Sequence, residues 1–188
     1  MSKEYSGRAF LQPSPSLNSI SWETRVKQTP EYEFPIHFYG KFTIAWGSTV
    51  VGIHSYGEYG HKAASKFREK CETAIVCIDR YIRAVHSNSY STYHTHLNDE
   101  DTPFSGAIYW KRDKSPSGNL ISIFEISSCK FKIRIHSHEV GGEAKLCRIL
   151  KKIITQIDQL LDATFLVEKE LNELAKQKSL FGESNECI

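Results

Sequence analysis

The chain has 188 residues, enough for one domain with a substantial core and few for two. Its 40% hydrophobic and 24% charged residues are ordinary for a globular protein. A formal charge of +2 excludes the overall basic field of a histone-like or ribosomal protein, so any attraction for a polyanion must come from a local patch.

Residues 1–35 hold four of the six prolines (Pro13, Pro15, Pro30 and Pro35) and read as an irregular N-terminal arm, with Trp22, Tyr32 and Phe34 as anchors. The opening stretch lacks the apolar core of a signal peptide. "KFTIAWGSTVVGIH" then alternates Phe42, Ile44 and Trp46 ahead of Gly47-Ser48 and resumes with β-branched residues, which predicts a β-hairpin. The charge-free stretch that contains it is too rich in Gly, Ser and Thr to span a membrane.

From Gly60 to His86 the period changes. Ala64, Phe67, Cys71, Ala74, Ile78, Ile82 and Val85 recur every three or four residues, which predicts an amphipathic helix. Strands are expected at 90–97, 105–113, 119–127 and 130–138, the second and third joined by "DKSPSGN". After Gly141-Gly142, Leu146, Leu150, Ile153, Ile157, Leu160, Thr164, Val167, Leu171 and Leu174 follow at alternating steps of four and three. Ile149, Ile154, Leu161 and Phe165 widen this face in its first half. Such a heptad seam predicts a long helix that either packs on the sheet first and on a partner helix later, or is an unusually long core helix within a monomer. A helix of about 35 residues is about 50 Å long and would overhang a domain this small.

The five cysteines, Cys71, Cys77, Cys129, Cys147 and Cys187, include no C-x-x-C. Cys71, Cys77 and Cys147 fall within the helical patterns, where buried free thiols are expected. A reducing, cytoplasmic compartment follows.

Two His-x-His pairs carry the chemistry. In a strand, residues i and i+2 share a face. Residues 130–138 therefore set Phe131, Ile133 and Ile135 against Lys130, Lys132, Arg134, His136 and His138. In 90–97, Tyr93 and Leu97 oppose Tyr90, Thr92, His94 and His96. Both pairs thus sit on the wet side of half-buried strands, and if those strands are neighbours, four imidazoles share one surface.

Three chemistries compete for that surface. The bland one is a solvated sheet face. A divalent transition metal is the second, with His94, His96 and Asp99 as ligands beside "NDED", while Lys132 and Arg134 argue against the second pair. The third is a phosphate ligand met by Lys132, Arg134, His136 and His138, with Lys145 and Arg148 added from the start of the last helix. From 130 to 152 the chain has seven Lys or Arg against two Glu, so the local patch exists. Histidine titrates near pH 6.5, so His94, His96, His136 and His138 are also the candidates for acid–base catalysis. The paired His-x-Ser/Thr motifs of two-histidine phosphoesterases are not met, and no P-loop or His-Glu-x-x-His occurs.

The sequence therefore predicts an α+β fold: an antiparallel sheet of five to six strands packed against helix 60–86. The divisions are an arm at 1–35, a core at 36–142 and a long helix at 143–180. The expected function is a cytoplasmic, homo-oligomeric binding module with no membrane partner and no obligatory cofactor. Its basic, histidine-bearing face meets a phosphate-containing ligand, of which a nucleotide or nucleic acid is one kind. The alternatives are a histidine- or metal-dependent phosphodiesterase and a coiled-coil scaffold.

Overall fold

The computed structural model describes residues 3–11, 18–28, 36–56, 60–97, 106–128 and 132–182. Its order is four strands and a helix, then four strands and a helix. The first unit comprises β1 (Glu4–Phe10), β2 (Asn18–Gln28), β3 (Ile36–Trp46), β4 (Thr49–Tyr56) and α1 (Gly60–His86). The second comprises β5 (Thr92–Leu97), β6 (Gly106–Lys114), β7 (Leu120–Ser128), β8 (Lys132–His136) and α2 (Glu143–Gly182). Each set of strands forms its own antiparallel sheet in chain order, β1-β2-β3-β4 in sheet A and β5-β6-β7-β8 in sheet B.

The expected single sheet of five to six strands is thus two sheets of four. The difference lies in residues 1–35, which were expected to be an irregular arm and which supply β1 and β2. All four prolines of that segment fall outside the described residues. Ile20, Trp22, Thr24 and Val26 alternate inward along β2 and are buried. The predicted hairpin is β3–β4, and Gly47 takes its turn at φ 60°, a conformation open to glycine at no steric cost.

Both helices lie in one continuous core. α1 buries Ala64, Phe67, Cys71, Ala74, Ile78, Tyr81 and Ile82, packing against β3 and β4 of sheet A and β5 and β6 of sheet B. α2 follows sheet B in the chain yet packs on β1, β2 and β3 of sheet A and along α1. The two units are therefore interlocked, each relying on the other's helix to bury its apolar face. The predicted seam from Leu146 to Leu171 is the buried stripe of α2, Thr164 included, with its hydroxyl donated to the Leu160 carbonyl at 2.8 Å. The seam that suggested a partner helix is filled by the chain itself. Cys71, Cys77 and Cys147 are buried free thiols, as expected. Among the described residues no helix is long and apolar enough to cross a membrane.

Candidate functional site

With the helices on the inner faces, the outer face of sheet B stays wet. Register sorts it into rows across the four strands. Thr92, Lys111, Ile123 and His136 form one row, His94, Tyr109, Glu125 and Arg134 the next, and His96, Ala107, Ser127 and Lys132 the third. Inward from the same strands point Leu97, Ile108, Trp110, Phe124, Ile126, Ile133 and Ile135, all buried. Alternation in the sequence had assigned these faces to β5 and β8, and the structure bears this out on the described residues. Lys130, Phe131 and Asp99 lie outside them.

The histidine pairs share this face but do not meet. β5 and β8 are opposite edges of the sheet, with β6 and β7 between them. Three strand spacings put the pairs roughly 14 Å apart. The single four-imidazole cluster is thus replaced by two separate pairs, His94 against His96 at 4.3 Å between rings and His136 against His138 at 5.1 Å. Tyr109 stands beside the first pair, 6.3 Å from His94. Tyr90, expected among the histidines, lies with its ring beneath Arg112 and Lys114 instead.

The cations differ in how far they are already neutralised. Lys132 and Arg134 both reach Glu125, each at 2.9 Å, and that carboxylate is 9% exposed. Lys111 is paired with Asp113 at 2.8 Å. On the first three turns of α2, Lys145, Arg148, Lys151 and Lys152 are exposed. Among the described residues no carboxylate pairs with Lys145, Arg148 or Lys151. Glu125 was not among the sequence candidates. Only the register that sets it opposite Arg134 reveals its role.

A tight turn joins this helix to the sheet. Ser137 is buried, donates its N–H to the Ser122 carbonyl at 2.8 Å and accepts the Ser122 N–H on its hydroxyl at 3.1 Å. Gly141 and Gly142 take φ 82° and 103°, which explains the Gly-Gly of the sequence. Gly142 then offers its carbonyl to the Leu146 N–H at 3.0 Å as the helix begins. The Lys145 side chain runs back along Gly141, so the first turn of α2 lies against the turn that follows β8. Of the six predicted ligand-binding residues, Lys132, Arg134 and His136 lie on β8, His138 in the turn after it, and Lys145 and Arg148 near the start of α2. Glu139 joins His136 and His138, and the ligand atoms of the three lie within 4.8 Å of one another.

The outer face of sheet A was missed. It carries Arg8, Arg25, Lys27 and Lys41, with Glu4 held by Arg25 at 2.8 Å and the Arg25 guanidinium over Tyr39 at 5.0 Å. Strict alternation through "SISWETRVK" was the available signal. On β4 of this sheet, burial and the charges of Lys41 and Lys70 push the His54 imidazole down to about 4, so it stays neutral where exposed imidazoles gain a proton.

Neither a known protein family nor any curated protein or solved structure matches the chain. The functional reading therefore rests on this geometry alone.

Proposed function

We propose that the chain is a binding module for nucleic acid, using the β8 edge of sheet B and the first turns of α2. The observation that carries this reading is the exposed cationic row on α2, with which no carboxylate among the described residues pairs, joined by the pinned turn to the histidine-bearing sheet face. Lys145, Arg148 and Lys152 stand three and four residues apart on one side of the helix, about 10 Å from end to end. Lys152 Nζ reaches the Phe10 carbonyl of β1 at 3.5 Å, which extends the row to Arg8 on sheet A. Cations strung along a surface fit a chain of phosphates, whereas a mononucleotide would need them gathered around one point.

Single strands suit this surface better than duplex. Across the sheet from that edge, Tyr109, His94 and His96 on the wet side offer rings on which the unpaired bases of a strand crossing the face can stack. The separation of the two histidine pairs means that one pair cannot act with the other as acid and base on one phosphate.

The test incubates tag-free protein with labelled single- and double-stranded DNA and RNA, with and without divalent metal, and scores retention and cleavage together. Retention of single strands without cleavage is the expected result. Cleavage that disappears in His94→Ala or His136→Ala would replace the binding reading with an enzymatic one. No retention at low salt would leave a solvated sheet face.

A further inference from the structure

We infer that the turn between β8 and α2 binds a divalent transition metal of the zinc class through His136, His138 and Glu139. Two imidazole nitrogens and one carboxylate oxygen form a donor set suited to zinc, and three protein ligands leave a coordination position open. The donor atoms already lie within 4.8 Å of one another. Around a tetrahedral ion at zinc distances they would sit about 3.3 Å apart. His138 and Glu139 are exposed, so rotation of their side chains can close that gap without moving the backbone.

The frame that holds them is rigid. Ser137 is tied to Ser122 through two hydrogen bonds, and Val140 is 1% exposed, so both neighbours of the His138-Glu139 pair are anchored in the core. Glu139 Oε2 accepts the His136 N–H at 3.1 Å, which fixes the carboxylate beside the imidazole and leaves its second oxygen for an ion. The charge objection raised from sequence also weakens. Lys132 and Arg134 share this face, but both are paired with Glu125, so their field at the turn is partly cancelled. Lys145 is the other nearby cation, and its flexible side chain can swing from Gly141 into solvent. Among the described residues no carboxylate joins His94 and His96 in the same way. The described residues thus offer a three-donor set at the pair that sequence reasoning had set aside, while Asp99 lies outside them. The inference is independent of nucleic-acid binding, since it concerns the ion alone.

Cobalt(II) is the probe. Titrated into tag-free full-length protein, it should give visible absorption that saturates at one equivalent, and zinc added afterwards should displace it. His138→Ala should abolish the saturable phase, and Glu139→Gln should shift its midpoint to higher cobalt. The Gln amide oxygen can still accept the His136 N–H, so that variant keeps the turn. His94→Ala/His96→Ala should titrate like wild type. Circular dichroism and melting curves for each variant show whether the fold is intact. A wild type with no saturable absorption would overturn the inference. So would loss of the signal in the His94/His96 variant, or its survival in a folded His138→Ala protein.

Discussion

Arg112 points inward from β6, where alternation calls for an apolar side chain, and its own side chain is 1% exposed. Its guanidinium meets both oxygens of Glu143 at 2.9 and 3.0 Å and donates to the carbonyls of Ala84, at 2.9 Å, and Ser89. One residue thereby ties the end of α1 to the start of α2 through sheet B. Ser122 adds a hydroxyl to the same carboxylate. Burial alone would raise the Glu143 carboxyl, but the hydrogen bonds from Arg112 and Ser122, with the Arg112 charge, hold it below the usual carboxylate range. A carboxyl lowered by folding stabilises the protein above the unfolded value of about 4.3, and that contribution is lost as pH falls through the lower folded value. Glu143→Ala leaves a buried guanidinium without its counter-charge and should cost about 3–5 kcal/mol in denaturant unfolding at pH 7. The wild-type advantage over this variant should shrink below pH 4. An unchanged midpoint at pH 7 would mean that the pair is only an accessory contact. None of this was legible in sequence, because Arg112 and Glu143 are 31 residues apart and neither belongs to a motif.

The elements were more legible than their partners. α1 is the predicted helix 60–86, and β5 to β8 lie within a residue or two of their predicted bounds. Each of these segments carries a local period, 3.6 or 2, that burial on one side enforces. β1 and β2 were lost because nearby prolines outweighed a clean alternation. α2 was found as an element, but its covering surface was misjudged. A seam every 3.5 residues looks the same whether a second chain or the chain's own sheet fills it. Here Leu160 is 0% exposed and packed within one copy. Leu160→Ala should therefore cost about 2–5 kcal/mol of stability. Light scattering should give the same mass for wild type and variant under native conditions. A fall in mass with stability preserved would restore the partner-helix reading.

At the scale of the whole molecule, two units of four strands and a helix share one core, although the sequence has no visible repeat. Pairing between strands is non-local, and helices of 27 and 40 residues disguise the common order. The same non-locality hid the layout of the candidate site. Alternation gave the correct faces for His94, His96, Lys132, Arg134 and His136, but not the order of strands that separates the two histidine pairs. It also could not show that Glu125 neutralises Lys132 and Arg134, while no carboxylate among the described residues pairs with Lys145 or Arg148. That asymmetry ranks the cations by their capacity to meet phosphate. The most direct test is the salt dependence of single-stranded DNA binding by wild type, Lys145→Ala/Arg148→Ala and Lys132→Ala/Arg134→Ala. Each lost phosphate contact lowers the slope of log affinity against log salt by about 0.7 on a single strand, so the α2 variant should lose about 1.4. The β8 variant, whose cations are already held by Glu125, should lose less. Salt-independent binding by wild type, or an α2 variant that keeps the full slope, would contradict the account.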